Sequence, residues 1–505
     1  MRIGIDVGGT NTDAALIGDD GQVLATVKSP TTADVTGGVA AALAGLGATR
    51  VSAVMIGTTH FVNALVEAAR LEPVAAVRLG LPATAALPPM VDWPERLRQA
   101  AEGAVYLCHG GCEYDGAPIS APDPDELRGV AADIRRRGLR TVAISSVFSP
   151  VSDAHERQAA EILAAELGPE VHLSLSCEIG RVGLLARENA TIVNAALRPL
   201  ADRTVAAFGE ALRVAGIDAP LFLSQNDGTL MDVDQARRYP VATFASGPTN
   251  SMRGAAYLSG LTDCAVVDIG GTTSDVGILV GGFPREAAGE ALVAEVRTNF
   301  RIPDVLSIGI GGGSLVAEDG TTGPRSVGYR LTEEALVFGG GTLTATDLAV
   351  AAGLADIGDR AKVAHVDPQR PLKLIAERVS EAVDRMRTSS APLPVVLVGG
   401  GSVLIQDLPG FDDVRRPAHF EVANAVGAAI AQVGGEVDRV FSGPRERILE
   451  EAKSEAIIRA ERGGARAGSV RIVDVEELPL AYLPGDATRI RVKAVGDLDL
   501  EKIDA

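Results

Sequence analysis

Two short stretches of the chain combine residue types that can do chemistry: GIDVGGTNTD at residues 4–13 and DIGGTTSD at residues 268–275. Each sets an aspartate at the end of an apolar run, followed by two glycines, polar side chains rich in hydroxyls, and a second aspartate. Glycines let the backbone approach a ligand with no Cβ in the way, and successive N–H groups can then converge into an anion-binding nest. Gly8, Gly9, Thr10, Asn11 and Thr12 are the candidates in the first stretch; Gly270, Gly271, Thr272, Thr273 and Ser274 are those in the second. Asp6 and Asp268 stand where a carboxylate can hold Mg2+, chiefly through water, because that ion gives up its waters reluctantly. Two such turns can grip one polyphosphate from opposite sides. Neither is a P-loop or a dinucleotide-binding fingerprint, since the spacing of both motifs is missing.

Other polar positions have two readings each. Thr58, Thr59 and Asn63 can contact a substrate or a phosphate, and a helix N-cap explains either threonine equally well. His60 sits beside the threonine pair. Asn226 and Asp227 end a strand before Gly228, as ligand contacts or as a simple Asx-turn. Glu188 and Asn189 lie early in a long helix, where packing between helices and ligand contact are both open. CHGGC at residues 108–112 has metal-like spacing, but a closed zinc site needs four ligands and no second cluster lies nearby, so two reduced thiols are expected.

The elements that must carry these residues alternate. RIGIDVG, the runs on either side of Asp20-Gly21, VSAVMIG, TVAISSVF and VHLSLSCEI read as strands, and residues 36–46 and 186–214 as helices. Asp153 and Glu156 resemble a capped helix start. Residues about 73–122, rich in Pro, Ala and Gly, read as an insertion. The second half repeats the grammar, with CAVVDI and PVVLV as strands and residues 377–387 and 445–462 as helices, before two strand-like runs at the end. An α/β protein with mixed sheets is expected. The matching turns predict a duplicated fold, two related lobes facing a cleft. The expected division is 1–185, 186–440 and 441–505.

At 505 residues the chain exceeds one ordinary core. Its 46% hydrophobic and 22% charged residues fit a globular protein, and a net charge of −19 argues against nucleic acid or an anionic membrane as partner. No apolar run approaches the ~18 residues of a membrane span, and the chain opens directly into a strand, so a cytoplasmic protein is expected. Four cysteines (Cys108, Cys112, Cys177, Cys264) make no disulfide framework in a chain of this length.

With PVVLVGGGSVLI (394–405) and ANAVGAAIA (423–431), the two turns resemble the phosphate and adenosine motifs of the actin/sugar-kinase/heat-shock-chaperone ATPase superfamily. Within it, GTTHFVNAL (57–65), RENATIVNAALRPL (187–200), LSQNDGTL (223–230), ASGPTNSMRGA (245–255) and IPDVLSIGIGGGSLV (302–316) resemble the hydantoinase A/5-oxoprolinase family. The resemblance covers most of the chain in order. It implies two ribonuclease-H-like lobes and ATP with Mg2+ as cofactors. It also implies phosphate contacts from Gly311, Gly312, Gly313 and Ser314, and an adenosine turn at Gly399, Gly400, Gly401 and Ser402. Asp13 or Asp275 would orient the nucleophile or water, and Thr58, Thr59, His60, Asn63, Asn226, Asp227 and Ser246 would meet the substrate.

Enzymes of that family use ATP to open a cyclic amide or imide. Amide resonance makes the carbonyl a poor electrophile, and phosphorylating its oxygen removes that protection, leaving the protein to position groups and neutralise charge. The resemblance further implies a hydantoinase B-type partner subunit and an oligomer. Two other readings use the same fold: a kinase for a sugar or similar alcohol, and a nucleotide-driven reactivating factor.

Overall fold

The computed structural model describes residues 1–9, 11–30, 35–48, 50–287, 289–480 and 487–500. Strands β1 (Arg2–Val7), β2 (Asn11–Ile17) and β3 (Val23–Pro30) pair antiparallel in series, with a turn at Asp20-Gly21. The helix Val35–Leu46 returns the chain to β4 (Ala53–Thr58), parallel to β1. The chain then leaves this sheet. Strands β5 (Val74–Leu81), β6 (Glu102–His109), β7 (Thr141–Ser146) and β8 (His172–Leu175) form a separate all-parallel sheet ordered β6-β5-β7-β8.

That sheet has its own core, including Val77, Leu79, Ile134, Val142, Ile144 and Leu163. The expected insertion at about 73–122 is therefore only its first half, since β7 and β8 belong to the same sheet. Parallel strands covered on both faces read as unbroken apolar runs, so VAAVRLGL showed no alternation to mark it. Glu156 does not cap its helix with Asp153. It is buried, and its carboxylate accepts from Ser146 N at 2.7 Å and Cys177 N at 2.9 Å, tying the ends of β7 and β8 together.

The helix Leu184–Val214 brings the chain back to β9 (Leu221–Ser224), parallel to β4, and β10 (Thr229–Asp232). After the helix Ser246–Ser259 a further sheet begins, with β11 (Cys264–Ile269), β12 (Ser274–Val280) and β13 (Phe283–Pro284) antiparallel in series. Strands β14 (Ala291–Val293) and β15 (Val296–Thr298) form a hairpin, β16 (Val305–Ile308) pairs with β12, and β17 (Ser314–Val316) pairs with β18 (Thr322–Ser326). Strand β19 (Val395–Val398) runs parallel to β11, and β20 (Val414–Arg415) parallel to β19. The tail then rejoins the first sheet with β21 (Gln432–Phe441), the helix Arg445–Arg462, β22 (Arg471–Pro479) and β23 (Thr488–Gly496).

The protein is thus mixed α/β, and two of its sheets repeat one plan. The runs β3-β2-β1-β4-β9 and β13-β12-β11-β19-β20 agree in strand order and in the sense of every pairing. The register agrees too: Asp6 lies opposite Asp13 in one hairpin, and Asp268 opposite Asp275 in the other. The expected linear division does not follow the sheets, because β9, β10, β21, β22 and β23 all extend the sheet that starts at Arg2. Among the described residues no helix is long and apolar enough to cross a membrane.

Candidate functional site

The two hairpin turns close in the same way. Gly8 N donates to Asn11 O at 3.0 Å, and Gly270 N donates to Thr273 O at 2.9 Å. Both turns open onto one cavity of about 520 Å3, with Asp6, Gly8, Gly9, Asn11 and Asp13 on one side and Asp268, Gly270 and Gly271 on the other. The turn after β19 adds Gly399, Gly400 and Gly401. Gly399 has φ +79°, and a Cβ there would lie 2.2 Å from Asp268 Oδ1, so only glycine lets this turn pass so close to the carboxylate. Leu331, Ala349, Leu354, Ile357, Val403 and Leu404 give the cavity an apolar wall.

The carboxylates differ in their surroundings. Asp6 is buried, and Asn424 donates to its Oδ2 at 3.0 Å, while among the described residues its Oδ1 has no partner within hydrogen-bond geometry, the Asn250 amide being its nearby polar neighbour. Burial, and then the charge of Asp13, push its carboxyl up to about 7. Asp13 accepts from Lys28 Nζ at 2.9 Å and from Asn424 at 2.9 Å. Asp268 accepts from Ser251 Oγ at 2.5 Å, and burial lifts its carboxyl to about 6, with Asp275 adding to the shift. Asp275 is also raised by burial; it accepts from Ser307 Oγ and does not line the cavity. A buried carboxyl, Asp6, and a partly buried one, Asp268, set into the cavity from opposite hairpins and both held toward the protonated state, form a donor set that suits a hard divalent cation.

Several residues expected at the phosphates are used inside the protein. Gly312 N donates to Gly270 O at 3.0 Å, Gly313 N to Gly271 O at 2.7 Å, and Gly311 N to Ser314 Oγ at 2.9 Å. This turn braces the second hairpin, and of its four residues Gly312 alone reaches the cavity wall. Thr12, Ser274 and Ser402 are buried, with Ser274 Oγ donating to Ile310 O at 2.6 Å, and Thr272 and Thr273 lie outside the cavity lining. Thr10 lies outside the described residues.

Most of the expected substrate residues gather away from that cavity, around the starts of the helices His60–Val66 and Ser246–Ser259, and Asn226 joins them by accepting from Ala245 N at 2.8 Å. Ser246 Oγ accepts from Thr58 N and donates to Thr58 O, both at 3.3 Å. Thr58 Oγ1 accepts from His60 N at 3.1 Å, Thr59 Oγ1 donates to Val7 O at 3.4 Å, and Asn63 Nδ2 donates to Thr59 Oγ1 at 3.3 Å. The His60 ring lies 3.3 Å from Arg70 Nη1, and burial lowers its pKa. None of these lines the cavity between the turns. Asn226 and Asp227 face a second cavity, of about 650 Å3, that shares no lining residue with the first. Asp227 forms the Asx-turn, accepting from Thr229 N at 3.0 Å, and pairs with Lys493 at 2.8 Å. Glu188 and Asn189 are buried in structural bonds to Arg78 and Trp93. All four cysteines are free, and among the described residues no cluster of His, Cys, Asp and Glu could hold a metal by itself.

Sequence reasoning missed Lys28, Ser251 and Asn424, all at the cavity. Asn424 carried a usable signal, a single polar residue inside the small-residue run ANAVGAA. Lys28 did not, because its contact with Asp13 follows from the pairing of β2 with β3.

A model of the hydantoinase/oxoprolinase N-terminal region matches residues 2–167, and a hydantoinase/oxoprolinase model matches residues 187–383. The caprolactamase subunit alpha of Pseudomonas jessenii is 26% identical over 468 residues, 85% of this chain and 65% of that protein. The acetophenone carboxylase gamma subunit of Aromatoleum aromaticum is 26% identical over 256 residues, 48% of this chain and 34% of that protein. The chain thus spans less than two thirds of the length of either relative. The crystal structure of the ATP-dependent caprolactamase from Pseudomonas jessenii shares the fold, with a TM-score of 0.77 at 19% identity, covering 99% of this chain and 88% of that one. On the two family models, which together take in most of its length, the chain belongs to the hydantoinase/oxoprolinase family.

Proposed function

We propose that the chain is the nucleotide-binding subunit of an ATP-dependent amidohydrolase that phosphorylates the carbonyl oxygen of a cyclic amide or imide. The observation that carries this reading is the single cavity that both matched hairpins face, with Asp6 and Asp268 set into it from the two sides. The two sheets of one plan are then ribonuclease-H-like lobes, and the space between them is the nucleotide cleft. The apolar wall around Leu331, Leu354 and Ile357 receives the base, and the backbone of the glycine turns receives the phosphates.

Asp6 and Asp268 would hold Mg2+, which when bound offsets charge on the polyphosphate. Lys28 lies beside Asp13 on the cavity wall and adds a second positive group there. Asp13, fixed by Lys28 and Asn424, is an acceptor that orients an attacking water through its O–H. In the transfer, a P–O bond forms to the amide oxygen as the bond to ADP breaks. The carbonyl carbon becomes electrophilic and water adds to it; the C–N bond then breaks as the nitrogen takes a proton, and a second water releases the phosphoryl group as inorganic phosphate, leaving the carboxylate. A hydantoinase B-type subunit completes the hydrolysis, a reading supported by relatives that are themselves named as subunits.

A second reading, a carboxylase subunit, draws on the similarity to the acetophenone carboxylase subunit. There the phosphoryl acceptor would be a ketone-derived or bicarbonate oxygen. ATP turnover decides between them. Stimulation by lactams, hydantoins or 5-oxoproline supports the amidohydrolase, stimulation only by a ketone with bicarbonate supports the carboxylase, and stimulation by sugars alone would overturn both.

A further inference from the structure

The second cavity lies where four parts of the chain meet: residues 149–153, residues 177–182, the turn after β9, and β21 with the helix Arg445–Arg462. Its wall carries six arginines. Five of them hold a carboxylate close: Arg157 at 2.6 Å from Asp153, Arg301 at 2.5 Å from Glu436 and Asp438, Arg439 at 2.7 Å and Arg459 at 2.6 Å from Glu455, and Arg489 at 2.7 Å from Asp438. Among the described residues Arg181 has no such partner. Its nearest carboxylates are Glu286 at 3.7 Å and Asp438 at 3.9 Å, and its Nε is buried with no hydrogen-bond partner among the described residues. The backbone that carries it is fixed, because Asn299 accepts from Arg181 N at 3.3 Å and donates to Arg181 O at 3.1 Å.

A guanidinium brings five N–H donors, and leaving them unused in a partly buried place is unfavourable. Burial, and then the neighbouring Arg301, both weigh against the charge of Arg181. An anion set against Arg181 would satisfy its donors and offset that repulsion. Its charge is limited, because Glu178, Glu436 and Asp438 face the same space and would repel a multiply charged group. A carboxylate matches the planar fork of a guanidinium in two parallel hydrogen bonds. Ile179, Val182 and Phe300, each within two residues of Arg181 or Arg301, offer apolar surface beside it.

We propose that this cavity binds a small monocarboxylate with a short apolar body, its carboxylate paired with Arg181. The site does not depend on the nucleotide reading, since the two cavities share no lining residue.

Isothermal titration of the full chain with hexanoate, hexanamide and inorganic phosphate tests it. Hexanoate is expected to bind with a Kd of about 1 mM or tighter, with hexanamide and phosphate at least about tenfold weaker. Arg181→Gln should weaken hexanoate at least about tenfold, and Arg181→Lys should restore part of the loss. An ATP analogue should not compete. Should Arg181→Gln fail to fold, a wild-type crystal soaked in hexanoate serves instead, with the carboxylate expected on the Arg181 guanidinium. The proposal is overturned if hexanoate does not bind, if hexanamide or phosphate binds as well, if Arg181→Gln leaves the affinity unchanged, if the analogue displaces hexanoate, or if the soaked carboxylate sits elsewhere.

Discussion

Asp6 and Asp13 face each other across the first hairpin and are joined through one side chain, the Asn424 amide, which donates to both at 3.0 Å and 2.9 Å. Two carboxylates this close repel when both are ionised, and the shared donor offsets part of that repulsion. Asn424→Ala leaves two buried acceptors without it, at about 1–3 kcal/mol for each group left unsatisfied. The expected outcome is a loss of about 2 kcal/mol in chemical denaturation together with weaker Mg·ATP binding. An alanine variant equal to wild type in both would remove the bridge from the account.

Gly57→Ala tests how tightly Asp6 is held. A Cβ there would lie 2.5 Å from Asp6 Oδ1 and 2.3 Å from Asn250 Nδ2, so one of the two must move. Overpacking of this kind costs about 1–3 kcal/mol. ATP turnover should fall at least about tenfold, because a small displacement of a positioning group lowers rate steeply. Unchanged turnover would mean that Asp6 need not stay where it is.

The raised carboxyls give a pH dependence with a definite sign. The Asp6 carboxyl lies at about 7 and that of Asp268 at about 6, each above the ordinary 3.8. The native state therefore binds more protons than the unfolded chain between about pH 4 and about pH 7, and stability falls as pH rises through that window. Without metal, the melting temperature should drop from about pH 5 to about pH 8, and Asp6→Asn should flatten the drop. Mg2+ with ATP should raise the melting temperature more at the higher pH, where no proton has to be displaced. A slope that Asp6→Asn leaves untouched would contradict the assignment.

The parts of this protein that local chemistry dictates were legible in its sequence. The two glycine turns, the hairpin at Asp20-Gly21 and the helix Arg445–Arg462 all carry their signal within a few residues. The parts set by distant pairing were not. Nothing in TRIRVKAVG says that it will lie against β21 in the first sheet, and nothing near Lys28 announces Asp13. The same limit explains the turn at Gly311–Gly313, whose glycines look made for phosphate yet give their N–H groups to Gly270, Gly271 and Ser314.

The inserted parallel sheet is pinned to the helix Leu184–Val214 by a buried ion pair. Arg78 Nε donates to Glu188 Oε1 at 2.8 Å, and Ser145 Oγ donates to the same oxygen at 2.7 Å. Removing one partner strands the other charge, so Arg78→Met or Glu188→Gln should each cost about 3–5 kcal/mol in denaturation. The double variant Arg78→Met/Glu188→Met should recover part of that loss. Single variants within error of wild type would show that the pair does not hold the sheet in place.

Gly9 and Gly400 allow the central claim to be tested without disturbing the fold. Both line the cavity, one from each repeat, and a Cβ at either would meet no atom of the described residues within 4 Å. Gly9→Val and Gly400→Val therefore add bulk to the space itself. Titration of Mg2+ with a non-hydrolysable ATP analogue should give one nucleotide per wild-type chain. Each variant should weaken that binding at least about tenfold while keeping the wild-type melting temperature of the ligand-free protein. Wild-type affinity in both variants would mean that the nucleotide does not lie between the two hairpins.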